Sequence, residues 1–469
     1  MLSIRKIYVT LFLIGLFFFP FNDFEGFEPL GEFKNEAGAY FFLLGFLFFG
    51  IESLYRGKIS IPYKSRIFQV LMVFLIWCVI TIVLNFNSVS DSYFKHTTGI
   101  YRFIRQFISL LISTFLFLLY FWNVIVRWSV IEILTKIRRV LLYCMIFAFS
   151  YGVLETAIVY FNVGAARPIL DLFDYFPFLD VNFPPGGRIS SVAYESPALG
   201  NYLIAVSGWM FSYILTEKNN LYKFLPTLMV LFLTFFSGSR TAMATVGLQA
   251  VILFAIMYAM PQYRRTVTVG FGYVAIVAAI MLAANGENIV RSVDEKLKSL
   301  NFSQNLKKNV SNQSRFGMQY ASLQVFKEHP VVGVGFGQEA YYTRFEYPGW
   351  AKKDNWEFKA MYLNKNFPSF PTSYNLYTRL LAETGIIGVL IWCFMIYLCI
   401  ANSIRLFKTS KEYEKVLAFI LLISFTGMSL NWLQTDFFRQ YAFWLCFVIM
   451  IRLLALRQAT QKELQGQSH

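Results

Sequence analysis

Apolar runs of about 18 or more residues, separated by short charged loops, recur along almost the whole chain, as they do in transmembrane helices. A soluble protein would cover a core this large with amphipathic helices, and those are nearly absent outside one stretch. The runs fall at about 7–21, 37–54, 67–86, 103–122, 140–161, 192–215, 224–236, 241–260, 267–284, 374–400, 416–432 and 441–454. The pattern predicts an all-α polytopic membrane protein with about twelve transmembrane helices. The single long polar segment runs over about 285–372, and its helical periodicity predicts a folded helical cap. Val293, Leu297 and Leu300 would line one face of a short helix, and Phe316, Tyr320, Leu323 and Phe326 one face of another. Asn312 or Ser314 would cap the second helix and His329-Pro330 would end it, with the apolar sides resting on the membrane surface.

Charge gives this layout a direction. Basic residues gather on alternate connections: Arg5 and Lys6, then Arg56, Lys58, Lys64 and Arg66, then Arg127, Lys136, Arg138 and Arg139. Lys218 with Lys223, Arg264 with Arg265, and Arg405 to Lys415 continue the series, while 23–36 is acidic. The bias of basic loops toward the cytoplasm predicts that both termini are cytoplasmic. Three regions follow: helices 1–9 over residues 1–284, with an outer loop at about 162–190; an outer-face cap over 285–372; and helices 10–12 with a cytoplasmic tail over 373–469. The first run has no small-residue cleavage site after it, so it is expected to remain as a helix.

Composition narrows the partners. The chain is 57% hydrophobic, 19% aromatic and only 15% charged, with a net charge of +15. Much of that positive charge orients the helices, so the partner it implies is a lipid bilayer rather than nucleic acid. The remainder clusters in the cap, where it would suit an anionic ligand. Cys78, Cys144, Cys393, Cys399 and Cys446 all lie in apolar runs without CxxC spacing, and read as neither a disulfide frame nor a metal site. No cofactor is expected.

Four polar sites stand out. In the first, Gly186-Gly187-Arg188 is followed by Tyr194-Glu195-Ser196-Pro197 at the start of a membrane helix. A carboxylate there is expensive and generally faces a cavity or a partner, unless Arg188 and Glu195 form a structural ion pair. The second is Ser237-Gly238-Ser239-Arg240-Thr241, a close hairpin turn whose arginine suits a phosphate, or snorkels to the headgroups. The third is Arg315, followed by His329-Pro330-Val331-Val332-Gly333-Val334-Gly335-Phe336-Gly337. It lacks the Lys-Ser/Thr of a phosphate loop and reads as a tight re-entrant turn, with His329 structural. The fourth is Ser373-Tyr374-Asn375-Leu376-Tyr377, leading into Leu381-Ala382-Glu383-Thr384-Gly385-Ile386-Ile387-Gly388; it reads as a cavity mouth or as a plain helix cap.

In this order the four sites resemble the O-antigen ligase/polymerase superfamily, which includes Wzy-type polysaccharide polymerases, O-antigen ligases and some O-linked protein oligosaccharyltransferases. The resemblance covers about residues 186–388. It implies a metal-independent glycosyltransferase of the bacterial inner membrane, with its site on the periplasmic face and undecaprenyl-diphosphate-linked oligosaccharide as donor and acceptor. A chain-length regulator is a further partner the family implies. The same resemblance implies that Arg188, Arg240 and Arg315 stand near the diphosphate, where fixed guanidinium groups would stabilise the charge that grows on the leaving phosphate. Tyr194, Ser239, Ser373, Tyr374, Asn375 and Tyr377 are the substrate-binding candidates.

One position departs from the pattern. Ligases of the family carry a histidine, thought to be the base, where this chain has Ser373-Tyr374, and its histidines are only His96, His329 and His469. A hydroxyl is a poor base at neutral pH. The departure favours a polymerase over a ligase or protein oligosaccharyltransferase, with Glu195 as the candidate base. Tyr341, Tyr342, Trp350, Trp356 and Tyr362 in the cap would stack on sugars or anchor the cap at the interface. A transporter of lipid-linked sugar is the alternative from another class, but the internal repeats expected of one are not visible.

Overall fold

Ten helices among the described residues are long and apolar enough to cross a membrane. The structure is a computed structural model that describes residues 4–183, 187–270, 272–273, 275–276, 279 and 310–466. The first helix, α1 (Ile4–Phe17), has 14 residues and packs along α2 (Ala37–Arg56). The spanning helices continue with α3 (Arg66–Leu84), α4 (Gly99–Ile125), α5 (Val130–Val159), α6 (Ser196–Thr216), α7 (Asn220–Ser237) and α8 (Arg240–Ala259). Two cap helices follow, α9 (Val310–Glu328) and α10 (Glu339–Glu346), before α11 (Leu376–Thr409), α12 (Glu412–Asn431) and α13 (Tyr441–Gly466). Among the described residues the strands form one hairpin, Tyr93–Phe94 with Thr97–Thr98. The all-α, multi-pass expectation therefore holds. Most of the predicted ninth helix, together with Gly186, Arg291 and the face of Val293, Leu297 and Leu300, lies outside the described residues.

Several boundaries move, each for a local reason. α5 begins ten residues before the predicted 140, because Ser129 and Glu132 form a reciprocal capping box. Lys136, Arg138 and Arg139 are therefore helical, and Arg138 pairs with Glu217 at the end of α6 at 3.3 Å. α6 begins at Ser196, so Glu195 precedes the helix as its N-cap residue instead of lying inside it. Asn312 and Ser314 are interior residues of α9 and do not cap it. α9 packs on the protein through Ser314, Gly317, Met318, Ala321 and Val325, while Tyr320 and Leu323 are exposed. Small residues win because they allow close approach; a Cβ at Gly317 would lie 2.5 Å from the Ala351 methyl.

α6 is the centre of the bundle, with 83% of its apolar window buried, and packs against α7, α8 and α12. A polar lock joins three of these helices. Gln249 of α8 donates to the carbonyls of Ile204 on α6 and Ile423 on α12, at 3.1 and 3.0 Å, and accepts from Ser207 at 2.8 Å. Its amide is fully buried, so each bond lost would leave a polar group without water. The lock sets the height of α8, whose first residue is Arg240.

The two glycine-rich motifs dock on each other. α11 breaks at Gly385, which has φ 63° and ψ −170°. Into the break fits the 330–337 loop: Val334 N–H donates to Ala382 O at 2.9 Å, Gly335 N–H to Glu383 O at 3.0 Å, and Ile386 N–H to Pro330 O at 2.9 Å. The Trp77 indole satisfies the remaining carbonyl of Thr384 at 3.0 Å. Gly333, at φ 73°, and Gly385 both require glycine, since a Cβ would lie 2.5 Å from Glu383 C and 2.2 Å from Val331 O respectively. The expected tight turn is thus a brace between cap and membrane helix. His329 stacks edge-on to Tyr342, away from the cavity described below.

Candidate active site

Where the cap meets the helix ends, a cavity of about 1250 Å³ opens. Its wall brings together Arg188, the 238–242 start of α8, Arg315 on α9, Ser373 with Tyr374, and Tyr194 with Glu195. Stretches far apart in sequence therefore share one space.

Each arginine is delivered by a defined local structure. Arg188 lies on a loop whose next turn is held from below by Glu155 of α5. That carboxylate is fully buried and accepts the N–H groups of Ser190 and Ser191 at 3.0 and 2.8 Å. The stem of Arg188 crosses Gly238, where an added Cβ would sit 3.3 Å from Arg188 Cδ. Gly238 takes φ 62°, closing the sharp α7–α8 turn. Ser239 then caps α8 by accepting from Ala242 N–H at 3.4 Å, so this predicted substrate contact also has a structural task. Arg240 reaches across the cavity to Asn312 on α9 at 2.7 Å. Arg315, one turn further along α9, donates to Gln434 at 3.1 Å and lies 5.1 Å from the centre of the Tyr374 ring.

Arg188 and Arg315 are close enough to Arg240 to repel it. Neither Arg188 nor Arg315 has a carboxylate partner among the described residues. Like charges gathered at one wall of a cavity form an anion-binding arrangement. The arginines on the opposite wall behave differently. Arg439 pairs with Glu36 at 2.9 Å and with Glu32, and Arg379 pairs with Glu383 at 3.2 Å while donating to Gln106 at 3.0 Å. Burial works against the charge on Glu32, but Arg439, the Ser109 hydroxyl and Arg105 outweigh it and hold the carboxyl below its usual range.

The remaining predicted residues divide. Tyr194 and Glu195 stand at the cavity wall, joined by a 2.8 Å hydrogen bond from the phenol to the carboxylate; no ion pair links Glu195 to Arg188. Ser373 and Tyr374 line the cavity, and the Tyr374 hydroxyl meets that of Tyr362 at 2.7 Å. Asn375 and Tyr377, also read as substrate contacts, do not line it. Asn375 caps α11 by accepting from Tyr377 and Thr378 N–H, and the Tyr377 hydroxyl binds the Ser429 carbonyl at 2.8 Å. Tyr341, Tyr342, Trp350, Trp356 and Tyr362 are likewise outside the lining.

Residues 225–393 match the model of a family described as O-antigen ligase. Over these residues the chain is similar to the O-antigen ligase/polymerase superfamily. That is an enzyme family of glycosyltransferase-like ligases and polymerases. No curated protein matches the chain. The matched segment carries Arg240, Arg315, Ser373 and the brace between Gly333 and Gly385, and stops short of Arg188 and Glu195 on the N-terminal side.

Two groups on the cavity wall were missed by the sequence reading. Glu339 of α10 is buried and accepts hydrogen bonds from the hydroxyls of Ser322 and Ser373. Burial, reinforced by the charge of Glu383, raises its carboxyl above the usual range, against the two hydroxyls and Arg379. The second is the Arg439–Glu32–Glu36 cluster. Its signal was an arginine in a short turn between apolar helices, opposite the acidic loop.

Proposed function

We propose that the protein is a polysaccharide polymerase of O-antigen, capsule or exopolysaccharide type. It moves a growing glycan from undecaprenyl diphosphate onto the sugar of an incoming undecaprenyl-diphosphate-linked repeat unit. One observation carries the reading: Arg188, Arg240 and Arg315 converge on a single cavity at the ends of apolar helices. When the glycan leaves, negative charge grows on the diphosphate oxygens, and guanidinium groups already in place stabilise it without reorganising. The planar fork of each arginine suits two phosphate oxygens at once, so the chemistry needs no metal. Tyr194, Asn201 and Gln434 offer aromatic and amide surfaces to the sugars. The site faces the periplasm, and both termini lie in the cytoplasm of a bacterial inner-membrane protein, on the bias of the basic loops.

Ser373 at the position of the ligases' histidine favours the polymerase. The ligase and protein oligosaccharyltransferase remain the second reading, supported by the description of the matched family. Deleting the gene and resolving the surface polysaccharide on a gel, with lipid-linked intermediates extracted in parallel, separates them. Core carrying single repeat units with no ladder is the polymerase result. Bare core with long polymer stranded on the lipid carrier overturns it in favour of a ligase.

A further inference from the structure

Glu339 and Ser373 share a hydrogen bond at the cavity wall, and both side chains line the space. The arrangement is directional. Ser373 is on the wall beside Tyr374, whose ring carries Arg315. Glu339 is behind it, and Ser322, fully buried and outside the lining, closes the far side of the carboxylate. The Ser373 backbone is fixed as well, because its N–H donates to Asp436 Oδ2 at 2.7 Å. Tyr374, the next residue, takes φ 55°, a left-handed conformation that strains a non-glycine residue and persists where the surroundings impose it.

A serine hydroxyl alone is no base at neutral pH. A serine hydrogen-bonded to a carboxylate can accept one proton while passing on its own. We propose that Ser373 and Glu339 form the proton relay of the transfer reaction, with Ser373 as the group that touches the acceptor hydroxyl; this rests on the glycosyltransferase reading above. The acceptor oxygen forms the new bond to the anomeric carbon. The bond from that carbon to the phosphate oxygen breaks, and its electron pair leaves with the lipid diphosphate. The acceptor proton passes to Ser373 Oγ as the serine proton passes to Glu339, which ends the step as a neutral carboxylic acid. Charge and atoms balance without a further reactant.

The charged and titratable groups around Glu339 agree with this role. Arg379 and Glu383 face it from α11, Asp436 lies behind Ser373 in the α12–α13 turn, and Tyr347 follows its own helix. Burial and Glu383 raise the carboxyl, so the ionised, proton-accepting form is reached only as pH rises past the ordinary carboxyl range. A group matched in this way to the working pH is the effective kind of base. Glu195, by contrast, accepts from its neighbour Tyr194 and is only half-buried.

The test uses the purified full chain in lipid nanodiscs, with a synthetic polyprenyl-diphosphate-linked repeat unit as donor and acceptor, and transfer rate measured against pH. Wild type should show an acidic limb above the ordinary carboxyl range. Glu339→Gln should lower the rate by roughly 100-fold or more, the usual size of a lost general base, and abolish the limb. Ser373→Ala should do the same, and Ser373→Thr, which keeps the hydroxyl, should restore most of the rate. If Glu339→Gln does not fold, the comparison of Ser373→Ala with Ser373→Thr decides. A Ser373→Ala protein that keeps the wild-type rate and pH limb overturns the relay alone. A wild-type protein that transfers no sugar overturns the functional reading and the relay with it.

Discussion

The carboxylate of Glu155 accepts the backbone N–H of Ser191 at 2.8 Å. It also takes the N–H of Ser190, so one buried side chain on α5 fixes the turn that follows Arg188. Ser191 sits at φ 53°, and the two bonds hold it there. Each such hydrogen bond contributes about 0.5–1.5 kcal/mol net, and losing one strands a buried N–H, which keeps the strained loop in one conformation.

Glu155→Gln should therefore act through Arg188. Its amide places an NH2 donor where Oε1 now accepts the Ser190 N–H at 3.0 Å, leaving that N–H only the 3.2 Å contact to the other oxygen, so the turn loosens and the arginine loses its fixed position. We expect sugar transfer to fall about tenfold, roughly one such hydrogen bond. In an Arg188→Ala background the same change should cost little more, because the positioned group is already gone. Additive losses in that double-mutant cycle would mean that Glu155 acts elsewhere.

The sequence made the bundle readable and left this contact hidden. Apolar runs report length and burial, so helices such as α3 and α8 appear within a few residues of their predicted limits. Arg188, Arg240 and Arg315 were readable too, through the ordered motifs that resemble the superfamily. Glu155 was not, because it lies within an apolar run while its partners, Ser190 and Ser191, lie in another segment. The break at Gly385 was invisible for a related reason: Leu381 to Gly388 reads as unbroken helix until the 330–337 loop supplies the hydrogen bonds that replace the helical ones. Glu339 lies in a polar cap where one more carboxylate carries no pattern.

Gly385→Ala and Gly333→Ala should each prevent stable folding. Both residues have positive φ, and the new Cβ would press on backbone rather than on a yielding side chain. Size-exclusion chromatography of a fluorescent fusion should show loss of the monodisperse peak. Gly349→Ala is the control, since nothing lies within 4 Å of its Cβ position. A monodisperse Gly385→Ala protein with wild-type melting would refute the brace.

The three cavity arginines should respond to lysine in a graded way. Arg315→Lys keeps a positive charge but loses the planar fork and its stacking on Tyr374. We expect it to transfer sugar at a rate between wild type and Arg315→Ala, and Arg188→Lys to do the same. Arg240→Ala should abolish transfer while the protein still reaches the membrane in normal amount. Equal rates for Arg315→Lys and Arg315→Ala would show that charge alone contributes nothing at that position.

The Arg439 cluster predicts the opposite kind of result, a loss of stability that further mutation repairs. Arg439 neutralises Glu32 and Glu36, and Tyr441 also donates to Glu36. Removing the cation leaves two carboxylates facing each other in a mostly buried site, which costs about 3–5 kcal/mol for a broken buried pair. Arg439→Met should therefore lower the melting temperature markedly. Adding Glu32→Gln and Glu36→Gln removes the stranded charges, and the triple variant should regain most of the lost stability, because neutral amides can still bond Gln106, Ser109 and Tyr441. If the triple variant melts no higher than Arg439→Met, the cluster supports the fold through packing of the guanidinium on the Phe33 and Phe437 rings, and not through its ion pairs.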